Sequence, residues 1–282
     1  MNTTTYKTTI KTDNSTTLSV KSAVITKQQV QILARIYNFR FVSTFQLQQV
    51  LAKEQIQQVQ QRLNLLLSRS YIGRNFSKLD RLTGKFASYY LLPDGVKVLK
   101  QHRSKLDNGL GLNPRVLHNI YKDKTASARF INHCLAVGDI NCHLYRLYGD
   151  DLEYFSKSKL AILDYFPEPH PDAFLRLHKT KEYFLEYCEE IVPFFVYRKR
   201  IKQYVEEYLD EGIWEDVTKK PKSPDIMLVA ETPVLQRRLR RFLKKYLNDL
   251  YMGTHARFLI TNMELLKSSA EQTIWTQEIQ EE

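Results

Sequence analysis

Between Thr26 and Leu92 the apolar residues recur three times with helical spacing and then twice with strand spacing, and this switch of period constrains the fold most. Val30, Leu33, Ala34 and Tyr37 mark a first helix, for which Thr26 is the expected N-cap. Ser43 or Thr44 caps a second, short helix carrying Phe45, Leu47, Val50 and Leu51. A third runs from Glu54 to Arg69 with Ile56, Val59, Leu63, Leu66 and Leu67 on one face. Segments 71–76 and 87–92 then read as strands joined by a polar link containing Arg81, Thr83, Gly84 and Lys85, and Asp94-Gly95 turns the chain into a helix from Val96 to about His102. Three helices followed by a basic hairpin predict a winged helix-turn-helix domain over residues 23–102.

The flanking segments differ. Residues 1–22 are rich in Thr, Ser and Asn, too poor in large apolar side chains to offset the entropy of ordering, and are expected to be a flexible tail. Residues 103–124, with Gly109, Gly111 and Pro114 among polar neighbours, suit a linker. From 125 to 282 a second pattern begins with a long helix, Ala126 to Tyr148. Strands follow near 153–157, 172–177 and 183–188, then a helix from Val196 to Leu209, a buried strand 224–230, an amphipathic helix 234–251 and a last strand 256–261. The order α, βββ, α, β, α, β predicts a mixed central sheet and makes the whole chain α+β.

Charge is divided between these halves. The 282 residues carry +11, yet residues 23–122 hold 16 Lys and Arg against four Asp and Glu, which leaves residues 123–282 with a net −3. Concentration of positive charge on one domain points to double-stranded DNA as partner. The outward face of the third helix carries Gln57, Gln58, Gln61, Asn64, Ser68 and Arg69, whose amides can pair bidentately with adenine in the major groove. Arg74, Lys78, Arg81 and Lys85 on the hairpin are expected to hold phosphate. The helix around Gln236 to Leu250 is also basic; a solvated face is the default reading, and a second DNA contact is the alternative.

Three cysteines and no run of about 20 apolar residues predict a cytoplasmic protein with reduced thiols and no membrane partner. His133-Cys134 and Cys142-His143 lie too far apart along one helix, about 12 Å, to share a zinc ion. No phosphate-binding loop, nucleophile elbow or calcium loop is present.

The C-terminal half carries Pro171-Asp172-Ala173, Phe184-Leu185-Glu186-Tyr187-Cys188-Glu189, and a Lys/Tyr-rich segment from Tyr197 to Tyr204. Carboxylates on neighbouring strands could hold Mg²⁺, the logic of the PD-(D/E)XK nucleases. Together with the capped Ser43-Thr44 helix, Arg62 to Leu67 leading into Tyr71-Ile72, Tyr90-Leu91-Leu92 to Gly95, and Asn132 to Val137, these segments resemble the replication-relaxation family of plasmid and mobile-element proteins over about residues 25–275. The resemblance implies a winged helix joined to a restriction-endonuclease-like α/β domain, acting in plasmid replication, relaxation or transfer. It does not by itself imply cleavage, because Cys188 stands where the nuclease pattern has lysine. The expectation is therefore a non-catalytic DNA-binding protein without cofactor, its degenerate C-terminal domain positioning replication or transfer proteins or a second protomer in a homodimer. The alternatives are a Mg²⁺-dependent endonuclease using Asp172 and Glu186, with Lys199 or Lys202 replacing the missing lysine and Glu189 adding a ligand, or a winged-helix repressor.

Overall fold

In the computed structural model, residues 25–51, 55–102, 112–206, 213–219, 223–250, 257–268 and 275–278 are described. The expected tail 1–22 lies outside them, as do residues 103–111 of the expected linker.

The first unit is built from α1 (Lys27–Phe39), β1 (Val42–Ser43), α2 (Thr44–Val50), α3 (Ile56–Ser68), β2 (Ile72–Asn75), α4 (Lys78–Leu82), β3 (Ser88–Leu91) and α5 (Pro93–Gln101). Thr26 with Gln29, and Ser43 with Gln46, each form a reciprocal capping box that satisfies the first free backbone N–H groups of α1 and α2. Val30, Leu33 and Tyr37 of α1 meet Leu47 of α2, Val59, Leu63 and Leu66 of α3, and Leu99 of α5 in one core. The strands form an antiparallel sheet in the order β1-β3-β2. Two features were not anticipated. The two-residue β1 joins the sheet, and the polar link between β2 and β3 folds into α4, capped by Ser77, whose hydroxyl accepts from the Asp80 N–H at 3.0 Å.

Within the segment expected as linker, α6 (Pro114–Ile120) packs Val116, Leu117 and Ile120 into that same core. Asp123, 1% exposed, accepts from Arg40 Nε at 3.0 Å, and Arg40 Nη2 also donates to Asn119 O at 2.9 Å. These residues thus extend the first unit because their apolar positions, spaced 116, 117 and 120, are helical.

The second unit begins with α7 (Ala128–Tyr148) and continues through β4 (Leu152–Ser156), α8 (Lys157–Leu160), β5 (Ala173–Leu177), β6 (Lys181–Cys188), α9 (Phe194–Gln203), α10 (Ile213–Thr218), β7 (Asp225–Ala230), α11 (Pro233–Asn248), β8 (Phe258–Asn262), α12 (Met263–Ser268) and β9 (Thr276–Glu278). Its mixed six-stranded sheet has the order β4-β5-β6-β7-β8-β9, with β6, β7 and β8 parallel and the rest antiparallel. Side chains alternate between the faces. Phe174, Phe184, Ile226, Leu228 and Ile260 face α9, Trp214 of α10 and α11, whereas Leu175, Leu185, Tyr187, Met227 and Val229 face α7 and α12. The protein is therefore α+β with a mixed sheet.

The long helix α7 joins the units. Gln46 Nε2 donates to Leu135 O at 2.6 Å and to Asp139 Oδ1 at 2.7 Å, and Gly138 gives it room, since a Cβ there would lie 2.9 Å from Gln46 Nε2. Phe41, Tyr90 and Cys134 pack beside this contact.

Candidate functional site

Two surfaces and one cavity carry the residues singled out by sequence. On α3 the buried stripe is Val59, Leu63 and Leu66, and Gln57, Gln58, Gln61, Asn64 and Ser68 are exposed on the other side, with Arg69 half-buried at the C-cap. The Ser68 hydroxyl donates back to Leu65 O at 2.9 Å. Four amides standing clear of the fold form an unobstructed hydrogen-bonding face. Arg74, Lys78, Arg81 and Lys85 are all exposed along β2, α4 and the turn before β3. Arg81 is carried over the Phe76 ring, 5.7 Å from its centroid, and Phe45 of α2 stacks on Phe86 at 5.9 Å, which ties this element to the helices.

The cavity, about 790 Å³, lies between the units and is lined by residues including Arg40, Arg129, His133, Lys157, Asp172, Glu186 and Glu189. Asp172 immediately precedes β5 and donates its N–H to Leu185 O of β6 at 3.0 Å, which puts it one position from Glu186 across the strand pair. The strand register thus brings Asp172 and Glu186 together. Lys202 is not with them: it projects over Tyr246 of α11, 5.5 Å from the ring centroid, because Arg200 rather than Lys202 occupies the inward turn of α9. Lys199 is exposed in the same outer groove.

Each carboxylate is already matched. Asp172 Oδ1 lies 3.2 Å from His133 Nε2 and 3.5 Å from Lys157 Nζ, while Oδ2 accepts the Tyr187 N–H at 3.0 Å. Burial alone would raise the Asp172 pKa, but the His133 hydrogen bond, the Lys157 and His133 charges and the Tyr187 N–H outweigh it and hold this carboxyl well below the usual range. His133 Nδ1 meets Glu189 Oε2 at 3.2 Å. Burial opposes a charge on His133, yet Asp172 and Glu189 prevail and raise its pKa, and the imidazole ring bridges the two carboxylates. Glu186 Oε1 accepts from Arg200 Nε at 2.9 Å and from the Tyr204 hydroxyl. Burial, reinforced by the Asp172 charge, raises the Glu186 pKa against the opposing pull of Arg200. Cys188 is buried, and burial pushes its thiol well up.

This donor set does not fit a resident Mg²⁺. A hard divalent ion needs free carboxylate oxygens and open water positions, whereas both Asp172 oxygens and Glu186 Oε1 are engaged and three protein cations stand around them. Among the described residues no group of three His, Cys, Asp or Glu side chains is arranged to hold a metal ion. Arg200 and Tyr204, four residues apart and therefore on one helical face, left a readable signal for this role; Lys157, 15 positions before Asp172, left none.

These features define an α+β protein in which a basic helix-and-hairpin unit is docked through α7 on a unit built round a mixed sheet, whose paired carboxylates are matched by cations of the chain itself. The chain belongs to the replication-relaxation family, whose sequence model matches residues 33–222. No curated protein matches it. Among solved structures it is similar to a mutant MarR from E. coli complexed with operator DNA, at 18% identity, with 38% of this chain and 69% of that chain covered and a TM-score of 0.26. No helix among the described residues is long and apolar enough to cross a membrane.

Proposed function

We propose that this is a sequence-reading, double-stranded DNA-binding protein of plasmid or mobile-element replication or transfer. The order of helices and strands in residues 27–101 is that of a winged helix-turn-helix domain, in which α3 enters the major groove and the β2–α4–β3 element tracks phosphate. The observation that carries the reading is the exposed amide face of α3 beside four exposed cations on the wing. Gln57, Gln58, Gln61 and Asn64 supply base-edge donors and acceptors, Ser68 and Arg69 flank them, and Arg74, Lys78, Arg81 and Lys85 supply sequence-independent attraction. The C-terminal unit keeps the helix and strand order of a restriction-endonuclease-like domain but serves as a platform for replication or transfer proteins or a second protomer, without a resident metal. Fluorescence titration tests both roles. Changing Arg81 and Lys85 together to Ala is expected to lower the salt slope, d log K/d log[salt], by about 1.8 at every sequence. Gln61→Ala is expected to cost about 1–3 kcal/mol at the preferred site only. An unchanged salt slope overturns the wing assignment. Cleavage of supercoiled DNA in Mg²⁺ or Mn²⁺ by the wild-type protein, lost in Asp172→Ala, overturns the platform assignment.

A further inference from the structure

The outer face of the second unit carries a charge density at odds with its net negative charge. The sequence of α9, Phe194–Gln203, holds four cations and no acid, and that of α11, Pro233–Asn248, holds six cations and no acid. Both helices cover the same side of the six-stranded sheet, each crossing between parallel strands, and they meet through Phe194 and Phe242, whose rings are 6.0 Å apart. Arg198, Lys199 and Lys202 of α9 and Arg238, Arg241 and Lys245 of α11 are all exposed. None of these six forms an ion pair with another described residue. Two lie over aromatic rings instead, Lys202 over Tyr246 at 5.5 Å and Arg238 over Phe194 at 4.6 Å, which holds their stems without a direct ion pair.

The nearby carboxylates do not cancel this face. Glu168, Glu206 and Asp249 line the groove that also holds Arg198, Lys199, Lys202 and Lys245, and the neutral Tyr246 hydroxyl donating to Glu206 at 3.0 Å leaves its charge in place, so the six cations exceed these three acids by three, with Arg238 and Arg241 outside the groove. Along α11, Arg238, Arg241 and Lys245 form a ridge about 10 Å long at 1.5 Å per residue. A row of exposed cations of that length, beside a second group on α9, matches a run of backbone phosphates, which crowd about one charge per 1.7 Å of duplex axis. An anion of one or two charges would leave most of the row unmatched.

We infer that α9 and α11 form a second duplex-DNA surface, which contacts phosphates and reads no bases. The first unit docks on α7, and α7 covers the opposite face of the sheet from α9 and α11. A duplex held by α3 and the wing is therefore separated from this surface by the thickness of the sheet and its helices. One chain can accordingly bind two DNA segments and bridge them. The second contact stands on its own residues; the bridge also rests on the winged-helix reading.

The test uses the full chain, an immobilised duplex carrying the preferred site and a second, labelled duplex of unrelated sequence in solution. Wild type is expected to capture the second duplex. A variant with Arg238→Gln, Arg241→Gln and Lys245→Gln, all at exposed positions, is expected to hold the immobilised duplex within about twofold and to lose capture at least tenfold. In a background of Gln61→Ala, Arg81→Ala and Lys85→Ala, adding the α11 substitutions is expected to lower the remaining salt slope by about a further 2.7, since three phosphate contacts correspond to about 40-fold between 50 and 200 mM salt. Thermal melting confirms that each variant is folded. Full capture by the α11 variant overturns the inference, because bridging then arises from paired protomers or from the wing alone. Loss of binding to phosphatidylglycerol vesicles with DNA capture unchanged overturns it in favour of a membrane surface. If instead the wing variant binds the preferred site as well as wild type while the α11 variant loses capture, the winged-helix reading fails and the second surface stands.

Discussion

Arg200→Met tests whether the cluster beneath the cavity is a structural ion-pair lattice. In the folded protein the Glu186 side chain is 17% exposed and that of Arg200 11%, with both Nε and Nη2 of Arg200 2.9 Å from Glu186 Oε1. Removing the guanidinium strands a buried carboxylate beside Asp172, whose negative charge already disfavours ionisation of Glu186. Breaking such a pair from one side costs about 3–5 kcal/mol. At about 2–4 °C per kcal/mol this lowers Tm by roughly 6–20 °C. The double variant Arg200→Met/Glu186→Gln removes the stranded charge and is expected to recover more than half of the loss, because an apolar or neutral replacement of a whole buried pair is often close to neutral. Proton linkage gives a second readout. The Glu186 pKa is raised by burial in the native state, so its proton binds more tightly there than in the unfolded chain, and the stability this adds at low pH is lost as pH rises through the folded value. Without Arg200 the folded pKa rises further, and the deficit measured by urea unfolding should be smaller near about pH 5 than near about pH 8. A loss under about 1 kcal/mol, or a double variant no more stable than the single one, refutes the lattice.

Further predictions address the neighbouring bridge and the docking of the units. The His133 pKa is raised in the native state, so its contribution is fully present below the unfolded value of about 6.5 and fades as pH rises through the folded value. His133→Gln should flatten the stability profile above about pH 6.5, measured by urea unfolding across that range, and an unaltered slope counts against the charged bridge. Gly138→Val places a Cβ 2.9 Å from Gln46 Nε2, an amide that cannot simply swing away because it donates to Leu135 O and Asp139 while Gln46 Oε1 accepts the Ser43 N–H. Overpacking of this kind costs about 1–3 kcal/mol, and Gln46→Ala in the same chain should return part of it; equal stability of Gly138→Val and wild type refutes the close approach.

Local rules carried the sequence reading furthest where the structure is itself local. Thr26 and Ser43 cap α1 and α2 because each has a glutamine three residues on, and the apolar runs next to Asp172 and Glu186 mark both as strand residues, which the β5–β6 pairing then brings side by side. The α4 turn was missed although Ser77 and Asp80 form a side-chain cap, since a five-residue helix in a basic, glycine-containing link has almost no apolar period to show. Residues 114–124 read as linker because their polar content hides the Val116, Leu117 and Ile120 face and because the buried Arg40–Asp123 pair joins positions 83 residues apart. Lys157 was invisible for the same reason: its carboxylate partner arrives through the α8–β5 connection, and no spacing rule links them. Lys202 was misplaced by one helical turn's geometry, since on α9 only Arg200 and Tyr204 point inward to Glu186 while Lys199 and Lys202 turn outward.

Cys188 explains why the charge is supplied from elsewhere. It is 1% exposed on the sheet face that holds Phe184, Tyr204, Ala230 and Leu235, and burial together with Glu186 and Asp172 disfavours its thiolate. An ammonium here would have to be desolvated within a packed apolar layer, while Arg200 already occupies the Glu186 oxygen that it would approach. Placing lysine there with Cys188→Lys is therefore expected to destabilise the protein by more than Cys188→Ala does, because it adds both volume, at about 1–3 kcal/mol, and a buried charge. It is also expected to leave supercoiled DNA intact in Mg²⁺, since the metal-binding oxygens stay engaged by Lys157, His133 and Arg200. Mg²⁺-dependent nicking by Cys188→Lys would mean that these cations yield readily to a metal, and that one lysine separates this protein from an active nuclease.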